Sequence, residues 1–149
     1  MLKGVGYSKG MAFSSGKNDM YYTDSFARTI YLFNYDEDVS SPGNQCIFVR
    51  TRKADGLPGR ATLDIQDCLW SAQWDGSSTI RPGPDGKEDR RITSPIHEIS
   101  SLTFGGDDYY DMHVTTATGQ YKAEEGQYAG SLFWLISILG ECLSSSRGL

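Results

Sequence analysis

The chain has 149 residues, 38% of them apolar and 22% charged, with a formal net charge of −5. That length holds one core rather than two ordinary domains, and the composition excludes a disordered chain. The acidic balance excludes the basic surface that phosphate binding needs, so no nucleic-acid partner is expected.

Taken in chain order, the sequence alternates short apolar runs with polar turns. MLKGVGYSKG at the start has no apolar segment of signal-peptide type. Strands are predicted at Gly10–Phe13 (GMAF), Met20–Ser25 (MYYTDS) and Thr29–Tyr35 (TIYLFNY), with a more exposed fourth at Cys46–Arg50. The order repeats with Ala61–Asp64, Cys68–Gln73, Ser78–Arg81 and Glu88–Thr93, and again with Ser101–Phe104, Met112–Ala117 and Gly130–Leu135. The second strands start at 20, 68 and 112, so the unit recurs after 48 and 44 residues. Turn chemistry stands between the runs in SSGKND, DIQD, GGDDYYD and the PDG of Pro84–Gly86.

A four-stranded unit of about 45 residues is the size of a β-propeller blade. The predicted fold is all-β, a partial β-propeller of three four-stranded blades at about 8–55, 56–98 and 99–139, with an irregular tail at 140–149. A plain β-sandwich is the competing architecture. Three blades do not close a ring that takes four to eight. Blade edges are therefore left open, and self-association through them is an expectation, as is an adhesive role for the apolar stretch Leu132–Leu139. That stretch is too short to cross a bilayer, which takes about 20 residues. A cytoplasmic protein without a membrane partner is expected. Cys46, Cys68 and Cys142 are odd in number and form no CxxC, so neither a zinc site nor a disulfide framework is expected. Cys68, inside an apolar strand pattern, reads as a buried thiol.

Several segments resemble the senescence marker protein/gluconolactonase family, which includes the regucalcins. They are SKGMAFS (Ser8–Ser14), MYYTDS, LFNYD (Leu32–Asp36), LPGRATLDIQDCLWSAQWDG (Leu57–Gly76), GPDGK (Gly83–Lys87) and ISSLTFGGDDYYDMHVTTA (Ile99–Ala117). The last is similar to the family's TSxxFGG…MYVT signature. The resemblance implies a six-bladed propeller of which this chain is the C-terminal half. It also implies a metal-dependent hydrolase of lactones or related esters, holding one divalent cation (Ca²⁺ or Zn²⁺) at the channel mouth, with an aspartate as base. The family's ligands are a glutamate in the other half, the Asn of SNGL and the Asp of PDGM. Here those motifs read Ser8-Lys9-Gly10-Met11 and Pro58-Gly59-Arg60-Ala61, which puts Lys9 and Gly59 at the ligand positions.

An ammonium has no acceptor and Gly59 has no carboxylate, so the resemblance implies an impaired or inactive lactonase that does not bind the cation. The alternative is a non-catalytic propeller fragment acting as an interaction module. An extracellular YWTD-type propeller, suggested by Tyr22-Thr23-Asp24, is disfavoured by the missing disulfides and secretion signal.

Asp55 in ADGLPG is a candidate substitute ligand, against the plainer role of a turn aspartate. His97 and Glu98 form a candidate metal-binding or proton-moving pair ahead of the third inner strand. Ser100 and Ser101 occupy the Thr-Ser position of the signature and are expected to line the channel. His113 is expected to pack on its strand. Trp70, Trp74 and Tyr21 form either a ligand-stacking set or inter-blade packing.

Overall fold

The computed structural model describes residues 4–120 and 122–136 of the chain. Eleven strands form three antiparallel sheets in strict chain order. The first contains β1 (Ser8–Phe13), β2 (Asp19–Asp24), β3 (Thr29–Asp36) and β4 (Ser41–Arg50). The second contains β5 (Leu57–Leu63), β6 (Leu69–Trp74), β7 (Ser78–Pro82) and β8 (Glu88–Thr93). The third contains β9 (Ile99–Gly105), β10 (Asp111–Thr116) and β11 (Leu132–Leu135). The innermost strands β1, β5 and β9 lie side by side, so the sheets stand in a row like consecutive propeller blades.

Local chemistry explains the turns. In DIQD, the Asp64 carboxylate accepts the amides of Gln66 and Cys68 at 2.9 and 3.0 Å, which closes the link between β5 and β6. In PDGK, Asp85 accepts the Lys87 amide at 3.0 Å and Gly86 takes φ 76°, a left-handed conformation that suits glycine. Packing then joins the sheets. Tyr21, Ile30 and Leu32 of the first meet Ala61 and Leu69 of the second. Trp70 and Ala72 of the second meet Leu102, Met112 and Val114 of the third. Tyr21 and Trp70 are therefore inter-sheet packing, and Trp70 is fully buried.

A buried polar node braces the second sheet. The Trp70 indole donates to Asp64 at 2.8 Å, and Arg81 lies 5.5 Å from the Trp70 ring. Arg81, 1% exposed, donates from Nε to Asp89 at 2.7 Å and stands 4.0 Å from Asp64.

Besides shifts of up to four residues at other strand ends, such as β5 starting at Leu57 rather than Ala61, the structure departs from the sequence expectation in four places. β4 starts at Ser41, five residues ahead of the predicted Cys46. A short helix, Lys122–Glu125, and a 3-10 turn, Gly126–Tyr128, interrupt the link from β10 to β11. The third sheet has three strands among the described residues. Cys68 is buried and disulfide-bonded rather than a buried thiol, whereas Cys46 is free and exposed. The expected tail at 140–149, and residues 137–139 of the apolar stretch, lie outside the described residues.

Candidate functional site

Each innermost strand carries one extra residue near its start. In β1 the pairing passes from Ser8↔Asp24 to Met11↔Tyr22, three residues against two. In β5 it passes from Pro58↔Gln73 to Ala61↔Ser71, again three against two. In β9 it passes from Ile99↔Thr116 to Ser101↔Thr115, two against one. Such bulges break alternation, bend the strand and re-aim a side chain, and they favour rims and active sites. The residues set apart are Lys9 and Gly10, Gly59 and Arg60, and Ser100. They are neighbours in space: a Cβ on Gly10 would lie 2.7 Å from the Ala61 nitrogen and 3.2 Å from the Gly59 oxygen, and one on Gly59 would lie 3.8 Å from the Ser100 oxygen.

The side chains around this mouth follow from the elements that carry them. Lys9 is exposed, and its ammonium stands 5.0 Å from the Tyr7 ring centroid and 5.9 Å from that of Trp74, at the end of β6. Both distances are in the range where a ring face attracts a cation. Tyr7 in turn stacks on Phe26 at 5.2 Å. Asp24 fixes this loop by accepting the amides of Gly6 at 2.9 Å, Tyr7 at 3.2 Å and Ala27 at 3.1 Å. Burial opposes the Asp24 charge, but the Gly6, Ala27 and Tyr7 amides together outweigh it and hold the carboxyl below its usual range. The Ser100 hydroxyl donates to the Thr115 carbonyl at 3.0 Å and lies 2.9 Å from the Thr115 hydroxyl. Ser25 reaches from the β2–β3 turn to the Pro58 carbonyl at 2.6 Å, which ties the first mouth loop to the start of β5.

This mouth offers an ammonium, a hydroxyl and backbone carbonyls. Hard divalent cations take six to eight oxygens, carboxylates prominent among them. Lys9 supplies positive charge and no acceptor, and Gly59 supplies no side chain, so the residues present do not fit such a cation. Among the described residues, no three His, Cys, Asp or Glu side chains gather where they could hold a metal ion.

The other candidates lie elsewhere or serve other ends. Asp55 closes a 3-10 turn over Lys53–Asp55, where Arg52 donates to it at 2.7 and 3.1 Å and Arg91 at 2.8 Å. The Arg52 hydrogen bond, with Arg91 behind it, holds its carboxyl below the usual range against the cost of burial. Both oxygens are thus committed to guanidinium groups. Glu98 is 3% exposed, and its carboxylate lies so close to Gly119 that a Cβ there would come within 1.9 Å of either oxygen. Among the described residues its Oε2 has no hydrogen-bond partner. His97 is half-buried, and its carbonyl accepts the Ser77 and Ile99 amides at 3.3 Å each. Ser101 is half-buried beside Thr115, and His113 stacks on Trp134 with ring centroids 6.0 Å apart. Sequence reasoning missed Tyr7, and it left Trp74 undecided between packing and a binding role. The available signal was Tyr7 standing two residues ahead of Lys9.

Comparison with known proteins places this geometry. The model of the SMP-30/Gluconolactonase/LRE-like region matches residues 1–118. Pentonolactonase XacC of Haloferax volcanii is 34% identical over 139 residues, which cover 89% of this chain and 48% of that protein. Regucalcin of Gallus gallus is 31% identical over 115 residues, 76% of this chain and 38% of that protein. Among solved structures, a luciferin-regenerating enzyme superposes with a TM-score of 0.80 at 23% identity, over 90% of this chain and 46% of that one. The chain thus spans less than half the length of these relatives. With three propeller sheets in order, bulged inner strands and a match over most of its length, the chain belongs to the SMP-30/gluconolactonase/LRE-like family.

Proposed function

We propose that this chain is a lactone-directed member of its family in which metal-dependent hydrolysis is impaired or lost, its residues 1–149 belonging to one propeller domain. One observation carries this reading: the bulges of β1 and β5 present Lys9 and Gly59 where the family resemblance implies two oxygen ligands. The relatives named for lactone hydrolysis support the substrate class. Lactone ring opening adds water to the carbonyl, breaks the ring C–O bond and leaves a carboxylate and a proton. A divalent cation would polarise that carbonyl and help activate the water, with a carboxylate taking its proton. Neither Lys9 nor Gly59 performs either step. Lys9 instead supplies hydrogen-bond donors and a positive charge, which suit the lactone carbonyl or the carboxylate that forms on opening.

The test is proton release from gluconolactone by the purified chain, with and without added Ca²⁺ or Zn²⁺. The expected rate equals the uncatalysed background in all cases. Metal-dependent turnover above background would overturn the proposal.

A further inference from the structure

The first and second sheets pack around a shared apolar patch and part beyond it. β6 turns Trp70 and Ala72 toward the third sheet and Leu69 toward the first, so the alternation of the strand also turns Ser71 and Gln73 toward the first. Leu69 completes the shared core with Ile30 and Leu32. Past it lies a cleft of about 540 Å³, within the range of about 300–1,000 Å³ that small-molecule sites occupy. One wall holds Ile30 and Val49, register partners on β3 and β4. The other holds Ser71, Ile80 and Arg91, a single row across β6, β7 and β8. Every lining residue lies between positions 30 and 91, and none of Lys9, Gly59 and Ser100 at the mouth is among them.

The charges of this cleft run against those of the chain. Five basic and three acidic side chains line it, in a protein whose net charge is −5. The acids are already engaged: Asp55 and Glu88 each meet Arg52 and Arg91, and Asp89 meets the buried Arg81. That leaves no unpaired carboxylate for a cation. Among the bases, Lys87 pairs with Asp85 outside the cleft, whereas Arg50, exposed at the end of β4, makes no ion pair among the described residues. Gln73, by contrast, is 2% exposed. Its Nε2 donates to the Ser71 carbonyl at 3.3 Å, while its Oε1 has no hydrogen-bond partner among the described residues. A buried acceptor left unmet is costly, and a hydroxyl entering the cleft would satisfy it. We infer that the cleft binds a small hydroxylated organic anion, a sugar acid or a sugar phosphate. The Arg50 guanidinium takes its carboxylate or phosphate, Gln73 Oε1 accepts from a hydroxyl, and Ile30, Val49 and Ile80 lie along its carbon skeleton. The inference is independent of any lactone chemistry at the mouth.

Titration calorimetry of the purified 149-residue chain with gluconate, glucose 6-phosphate, inorganic phosphate and glucose tests the assignment. One molecule of gluconate or of glucose 6-phosphate is expected to bind per chain, and the tighter of the two identifies the anionic group as carboxylate or phosphate. Inorganic phosphate lacks the hydroxylated body and glucose lacks the charge, so each is expected to bind at least about tenfold more weakly. Arg50→Ala and Gln73→Leu are each expected to raise the Kd about tenfold with an unchanged circular dichroism spectrum. Arg50 is exposed, so its variant reads the site even where the buried Gln73→Leu disturbs folding. Lys9→Met is expected to leave the Kd as it was. Failure of both sugar anions to bind would overturn the inference. So would inorganic phosphate binding as tightly as glucose 6-phosphate, which would mean that charge alone is read. Binding that is lost in Lys9→Met and kept in Arg50→Ala would place the anion at the mouth and overturn it equally.

Discussion

Gly10 and Gly59 sit in matching bulges, but the room around them differs. A Cβ on Gly10 would stand 2.7 Å from the Ala61 backbone nitrogen, closer than real contacts allow, so β1 and β5 would have to part. A Cβ on Gly59 would meet the Ala72 oxygen at 3.3 Å, which a shift of a few tenths of an ångström relieves. Gly10→Ala is therefore expected to cost about 1–3 kcal/mol, the range for overpacking, in urea unfolding. Gly59→Ala is expected to stay within about 1 kcal/mol. An equal loss in both variants would contradict this account of the mouth. The same residues show what sequence alone could give. Lys9 and Gly59 stand out in the sequence because flanking motifs resemble the family pattern, and the structure adds that both lie in bulges. The Tyr7 and Trp74 rings beside Lys9 do not stand out, since 65 residues separate Lys9 from Trp74 and only the β1–β5–β6 packing unites them.

Among the elements, the second sheet buries the Arg81 ion pairs, whereas the Lys17–Glu37 pair beside the first is exposed. Arg81→Met would leave Asp64 and Asp89 without their guanidinium, and breaking a buried pair from one side typically costs about 3–5 kcal/mol. Lys17→Met removes an exposed partner of Glu37 and is expected to leave the unfolding midpoint unchanged. Thermal melts of the two variants side by side check both outcomes. β4 marks where strand prediction fell short. Its first seven residues are all exposed, so no apolar alternation announces them, and only Cys46–Arg50 reads as strand in the sequence. By contrast β2, β3 and β6 bury most of their residues, and their apolar runs were legible to within a residue or two. The same exposure predicts dynamics. Hydrogen exchange should be faster along Ser41–Ile47 than along Met20–Asp24, and equal protection would mean that another surface covers β4.

Across the whole molecule, three depressed carboxylates tie segments that are distant in sequence. Asp24 binds the Gly6 and Tyr7 amides to the β2–β3 turn, and Asp55 and Glu88 share Arg91. The Arg91 hydrogen bond holds the Glu88 carboxyl below its usual range, as Arg52 does first for Asp55. A carboxyl whose folded pKa is lowered contributes stability that is complete above its unfolded value. That stability is lost as pH falls through the folded one. Melting temperature should thus stay level from neutral pH to about pH 5 and fall below about pH 4. Asp24→Asn should lower the plateau and flatten the acid limb. A melting temperature that holds steady well below pH 4 would refute the linkage.

The three bulges carry a further implication for how such a chain changes over generations. The detour in each inner strand is a feature of backbone register, which requires glycine at Gly10 but makes no such demand at Lys9. Lys9 is exposed, and Gly59 has room for a modest side chain. The mouth therefore works as a socket: what is seated there can be exchanged while the sheets fold as before. A change at Lys9 or Gly59 alters what the mouth offers a ligand, and folding exerts little pressure on either position. In a lineage built this way the scaffold records descent, and the two socket residues record occupation.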